Sequence, residues 1–206
     1  MVHRLATVVP LALALGLGLA GPASASAPAK SHDPPRVQQS IEGQAVVSSQ
    51  LLPRTHFGGD AAYVLGNDTF SARFGGQVLG GRPFDLGDGK MANVLAAFTL
   101  DGCGARQVFR HRVRICVGGQ GGAMFHRWIG FERPGRKGTP WVAGVLRGDY
   151  RYLITERIGV LFGVGVTVPV VGPEFRASSG SRASTQVVFP GPVTGMLTLG
   201  ASFRVR

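Results

Sequence analysis

From residue 40 onward, apolar and polar positions alternate with a period of two, which is how a strand reads when its two faces meet different surroundings. Residues 141–154 show it best. Trp141, Ala143, Val145, Arg147, Asp149 and Arg151 share one face, and Val142, Leu146, Tyr150 and Tyr152 share the other, so every charge lies on one side. Residues 157–170 set Ile158, Val160, Phe162, Val164, Val166 and Val168 against Gly159, Leu161, Gly163, Gly165 and Thr167. Residues 193–206 set Leu197, Leu199 and Phe203 against Thr194, Thr198, Ser202 and Arg204. Residues 112–126 place Arg112, Arg114, Cys116 and Gln120 opposite Val113, Ile115 and Val117. Residues 91–103 place Asn93, Thr99, Asp101 and Cys103 opposite Val94, Phe98 and Leu100, and residues 69–79 place Ser71, Arg73 and Gln77 opposite Phe70, Phe74 and Val78. Two weaker segments, 41–51 and 58–66, keep Glu42, Gln44, Ser48 and Asp60 away from Val47, Tyr63 and Leu65. The pattern predicts eight strands.

The predicted connections alternate in length. Those at 66–68, 106–110 and 155–156 are short, and those at 52–57, 81–90, 127–140 and 172–192 are long. Short turns on one rim and long loops on the other belong to barrels that cross a bilayer, for which strands of about 9–11 tilted residues suffice. The longest uncharged apolar run, 158–173, is rich in Val, Gly and Pro, a composition poor for a helix and good for a strand.

The polar face separates a membrane barrel from a soluble sandwich. A sandwich coats that face with Lys, Glu and Thr. Here it is small and mixed, with isolated Arg and Asp. An eight-stranded barrel encloses a lumen just wide enough for side chains, and charges buried there must pair. Glu42, Asp60, Asp101 and Asp149 are the expected acids; Arg73, Arg112, Arg114, Arg147, Arg151 and Arg204 are their expected partners. Arginine suits this role because its planar fork binds carboxylates bidentately.

Composition agrees with the pattern. Charged residues are 16% and hydrophobic ones 44%, which excludes a charge-rich disordered chain. Glycine, at 32 of 206 residues, has no period of three, which excludes collagen. Met1 to Arg4 is a short basic segment, followed by an apolar run to Ala20 and an Ala-x-Ala site ending at Ala25. Residues 1–25 therefore read as a secretory signal peptide. Residues 26–39, with Pro28, Pro34 and Pro35, read as a flexible lead-in, and residues 40–206 as the barrel.

Three stretches carry a resemblance: Pro140-Trp141-Val142-Ala143-Gly144-Val145, residues 158–169, and residues 195–206. From about residue 42 onward the chain resembles the small eight-stranded outer-membrane barrels of Gram-negative bacteria, the OmpA/OmpX-like class. The resemblance implies an all-β, antiparallel, up-and-down transmembrane barrel in the outer membrane. It implies a structural or surface-interaction role in the cell envelope, with no enzymatic activity and no cofactor. Two other readings stand beside it: a soluble secreted barrel or sandwich binding a small apolar ligand, and an outer-membrane enzyme acting on lipid.

The remaining candidates are few. Cys103 and Cys116 are the two cysteines, both on the inward face. A hairpin centred between Phe109 and Arg110 sets them opposite each other, so an oxidising compartment predicts a disulfide rather than a redox or metal pair. Arg106, Arg110, His111, Arg112 and Arg114 read as lumen and rim residues; with Phe109 alone to stack bases, no nucleic-acid partner is expected. Arg127, Arg133, Arg136 and Lys137 cluster in one long connection opposed by Glu132, a candidate contact for the phosphates of lipopolysaccharide. His126 faces inward beside no nucleophile, and no G-x-S-x-G is present. Trp128 and Trp141 at one rim, with Tyr150 and Tyr152 at the other, fit aromatic girdles.

Overall fold

The alternation is the register of a closed ladder. The computed structural model describes residues 37–49, 54–86, 89–130, 136–172, 175–179, 182–188 and 191–205. The predicted signal peptide, and most of the predicted lead-in, lie outside these. The strands are β1 (Gln38–Ser49), β2 (His56–Gly66), β3 (Phe70–Gly81), β4 (Phe84–Leu86), β5 (Gly89–Val108), β6 (His111–Ile129), β7 (Arg136–Leu153), β8 (Ile158–Val171), β9 (Phe175–Ser179), β10 (Arg182–Val188) and β11 (Thr194–Arg204).

Eight of them form the barrel in the order β3-β2-β1-β11-β8-β7-β6-β5, and β5 pairs back onto β3 to close it. Every pairing is antiparallel. Closure leaves no sheet edge and satisfies the backbone without water, the condition for crossing hydrocarbon.

The short turns are built by their side chains. Asn67 Oδ1 accepts from the N–H groups of Thr69 (2.9 Å) and Phe70 (2.7 Å), and Thr155 Oγ1 accepts from those of Arg157 (3.2 Å) and Ile158 (3.0 Å). Both are local turns that Asn and Thr form readily. The third turn has two residues, with Phe109 at a φ of +54°.

The long-loop side differs from expectation. The predicted connection 127–140 is mostly strand, because β6 runs to Ile129 and β7 begins at Arg136. Its polar, Gly-containing sequence hides the ladder. Two further pieces go beyond the predicted eight strands: β4, which pairs with β5, and the β9–β10 hairpin inside 172–192. The barrel also begins two residues earlier than predicted, since Gln38 and Gln39 pair with Gly66 and Leu65.

The distribution of polarity is that of a soluble protein turned inside out. Ile41, Phe74, Phe98, Leu100, Val117, Phe162, Leu199 and Phe203 all stand exposed on the outer wall. Among the described residues, no charged side chain faces outward on β5 between Lys90 and Arg106, or on β6 between His111 and Arg127. The arginines of the barrel's middle point inward and are buried. A soluble barrel would show the reverse, so that reading is set aside.

The two tryptophans correct the girdle expectation. Trp141 is fully buried, and Trp128 packs against the same inner cluster. Both occupy inward register positions, so neither lines the outer wall at the long-loop rim. Tyr150 and Tyr152 do face outward near the short turns, with His111 Nδ1 2.6 Å from Tyr150 Oη.

Candidate functional site: the lumen and the long-loop rim

The lumen is filled in two layers. The layer nearer the short turns is ionic. Glu42 on β1 accepts from Arg114 on β6 through two bonds, Nη1 to Oε1 at 2.9 Å and Nη2 to Oε2 at 2.8 Å. Arg151 on β7 also donates to Glu42 Oε1, and Arg73 Nε lies 3.5 Å from Oε2. Arg73 in turn pairs with Asp60 on β2 and with Asp101 on β5, the latter at 3.3 Å. Arg114 Nη2 donates to Asp149 Oδ2 on β7 at 2.8 Å. Arg147 approaches Asp60 at 3.9 Å, a charge contact rather than a hydrogen bond.

Four arginines and four carboxylates thus balance, and they tie together β1, β2, β3, β5, β6 and β7. Two glycines make room for them. A Cβ at Gly118 would collide with Asp101 Oδ1, and one at Gly163 with Asp149 Oδ1.

Arg112 and Arg204 stand apart from this set. Arg112 donates to the carbonyl oxygen of Asn67 at 2.9 Å, at the short-turn rim. Among the described residues neither makes an ion pair within 4.0 Å. Arg112 takes the first inward position after the β5–β6 turn, and Arg204 ends β11. Both therefore lie at the mouth rather than among the acids.

The layer nearer the long loops is apolar, which the sequence pattern does not announce. Val46, Leu79, Phe84, Met91, Leu95, Ala97, Met124, Trp141 and Ala143 form one buried cluster. These residues alternate correctly, but their inward face is as greasy as their outward one, so alternation gives no sign of a plug. Phe84 comes from β4. Polar groups edge this cluster: His56 Nε2 lies 2.8 Å from Asn93 Oδ1, and His126 Nε2 lies 2.9 Å from Thr139 Oγ1.

Cys103 and Cys116 form a disulfide between directly opposed positions of β5 and β6. Both residues are buried on the inward face.

At the long-loop rim, Arg127 pairs in register with Ala92 on one side and Arg136 on the other, and Lys137 pairs with His126. Arg127 and Lys137 are exposed. Arg133 lies outside the described residues, as does the side chain of Arg136. Lys90, two pairs further up the β5–β6 ladder, adds a cation that the sequence reading did not include; Asp85 lies 3.9 Å from it.

No family model matches the chain. No curated protein matches it in sequence. Solved structures do share its architecture. A major outer membrane protein from Thermus thermophilus superposes with a TM-score of 0.60 at 15% identity, covering 82% of this chain and 98% of that one. Neisserial surface protein A gives 0.52 at 6% identity, with 81% and 96% covered. The attachment invasion locus protein Ail of Yersinia pestis, solved in complex with the heparin analogue sucrose octasulfate, gives 0.50 at 9% identity, with 82% and 97% covered. The chain has the fold of the small eight-stranded outer-membrane barrels.

Proposed function

We propose that this protein is an exported outer-membrane barrel that acts through its wall and its long-loop rim, as a structural or surface-contact element of the envelope. In this reading residues 1–25 are a cleaved signal peptide and residues 26–39 a tether, trimmed by the two residues that join β1. The short turns face the periplasm and the long-loop rim faces outward. The observation that carries the reading is the lumen. Bidentate pairing of Glu42 with Arg114 spans it, and Trp141, Met91 and Met124 fill it above. A lumen closed twice does not conduct, and the charges at its centre, Glu42, Arg73, Arg114 and Arg151, are paired with one another or with neighbouring carboxylates.

The exposed cations at the rim, Arg127 and Lys137, together with Arg133 and Arg136 of the same segment, supply contacts for the phosphates of lipopolysaccharide.

Two measurements test this. The protein is expected in the outer-membrane fraction, with a folded band that shifts on heating in a gel. Planar bilayers containing it are expected to show no channel steps. Recovery in the soluble fraction, or steady single-channel current, overturns the reading. Charge reversal at Arg127 and Lys137 is expected to weaken lipopolysaccharide association, and unchanged association removes that contact from the proposal.

A further inference from the structure

Two hollows open on the outer wall of β5, β6 and β7, outside the lumen. The upper one, about 420 Å³, lies between Ala92, Val94, Phe125 and Gly138, with Arg127 and Lys137 on its margin. The lower one, about 590 Å³, lies between Phe74, Phe98 and Leu100 on one side and Val142 on the other, over Gly119 and Gly121. They share one outward face. Of the outward-facing pairs of β5 and β6, only Ala96–Ala123 lies between them.

The walls are tall and the floor is bare. Phe98 is 80% exposed and Leu100 57%. A Cβ added at Gly121 or at Gly144 meets nothing within 4 Å, so the space there is open rather than filled by a neighbour. The furrow runs along β6 from Arg127 to Gly119, eight residue steps, or about 26 Å at about 3.3 Å each. At a strand tilt of about 40° it descends about 20 Å, somewhat more than half of a hydrocarbon core about 30 Å thick. It is therefore as deep as one leaflet.

Its upper end is the basic rim. Arg127 is directly beside Ala92 in the ladder, and Lys90 follows two pairs above. Among the described residues only Asp85 opposes these cations. An apolar furrow one leaflet deep, opening at its top under a cluster of positive charge, is complementary to one kind of molecule: a lipid with an anionic phosphate head and a hydrocarbon chain. A neutral lipid gains nothing from the rim, a zwitterionic one gains less because its own cation offsets its phosphate, and a soluble anion gains nothing from the furrow.

We infer that the outer face of β5–β7 holds one anionic, phosphate-bearing lipid, its head on Arg127 and Lys90, which share the outward side of the β5–β6 ladder, and one chain lying along β6 between Phe98 and Val142. This rests on the reading of the protein as an outer-membrane barrel with the long loops outward, and it makes the rim contact a defined site.

The test uses the full-length folded protein in detergent, titrated with bisphosphorylated lipid A and followed by native mass spectrometry, with phosphatidylcholine as the comparison lipid. One lipid A is expected to persist on the wild type and phosphatidylcholine to be lost. Arg127→Glu is expected to weaken lipid A binding about tenfold by removing a charge-assisted contact. Gly121→Leu fills the furrow from an open position and is expected to weaken it about tenfold as well, by displacing chain contacts. Gly144→Leu, also facing open space, is the second furrow variant in case the first folds poorly. Wild-type binding by a folded furrow variant overturns the inference, as does equal retention of phosphatidylcholine. Such a result leaves the proposed function standing if the protein still fractionates with the outer membrane and still does not conduct. Recovery in the soluble fraction refutes the proposed function itself.

Discussion

Glu42 and Arg114 meet head to head from strands that stand opposite each other in the ring, β1 and β6, with three strands between them either way. The pair is a strut across the barrel, and Glu42, with no exposed surface, also answers Arg151 and Arg73. Removing it leaves buried guanidinium groups short of a counter-charge. Glu42→Gln is therefore expected to cost about 3–5 kcal/mol in reversible urea unfolding from lipid vesicles. Glu42→Gln with Arg114→Met is expected to cost less than the sum of the single changes by at least about 1 kcal/mol, because the two groups share one interaction. A loss below about 1 kcal/mol for Glu42→Gln is what a water-screened surface pair gives, and it would mean that the ionic layer is wet.

The outer wall makes the opposite prediction for added charge. Leu199 on β11 is 61% exposed and lies between Ala45 on β1 and Phe162 on β8. By exposure alone it is an ordinary surface site, where a soluble protein tolerates arginine within about 0.5 kcal/mol. On a lipid-facing wall, Leu199→Arg is expected to destabilise by about 2–4 kcal/mol in the same vesicle assay. A neutral outcome would show that this face is not wetted by hydrocarbon.

The contrast between these two sites explains what can be read in advance. Alternation over residues 141–154 places Arg147, Asp149 and Arg151 on one face because each is flanked by residues that belong in lipid. A charge is costly on one side of the wall and permitted on the other, so eight strands and their facing are written in single residues. The choice of ion-pair partners is not. Arg73 could meet any of four acids; strand tilt and stagger, which no local pattern reveals, bring it to Asp60, Asp101 and Glu42. The same stagger leaves Arg112 and Arg204 at the mouth. Trp141 passes for a girdle residue only by its nearness to a loop; the alternation already sets it on the face of Arg147, Asp149 and Arg151, and the register with Gly122 on β6 agrees. The furrow on the outer wall is invisible for a related reason: Gly119, Gly121 and Gly144 become neighbours only once β6 and β7 are paired.

The disulfide joins positions that the β5–β6 ladder already holds opposite each other. Its effect on the folded barrel is small, and it acts mainly on the unfolded chain, where it closes a loop with a sequence separation of 13. Cys103→Ser with Cys116→Ser is expected to lower stability by up to about 3 kcal/mol. The folded band should run unchanged in a gel, while the heat-unfolded band should run more slowly than that of the oxidised wild type. Loss of the folded band in the double variant would show that the bond is needed for the barrel to close, not only to hold it closed.

Trp141 tests whether the two layers of the lumen act separately. Its indole is fully buried among Met91, Met124 and Leu79, and its Nε1 has no hydrogen-bond partner among the described residues. Its contribution is therefore volume, not polarity. Trp141→Ala is expected to cost about 3–5 kcal/mol, the range for deleting a large buried aromatic. Trp141→Phe keeps most of the volume, removes an unpaired donor, and is expected to cost less than about 1.5 kcal/mol. The sharper outcome is electrical. Trp141→Ala opens a hole only in the apolar half of the lumen, while the strut from Glu42 to Arg114 stays in place beneath it. Planar bilayers with the Trp141→Ala protein are accordingly expected to remain silent. Channel steps from that variant would show that the side-chain plug alone had sealed the barrel and that ions pass between the arginines and carboxylates below.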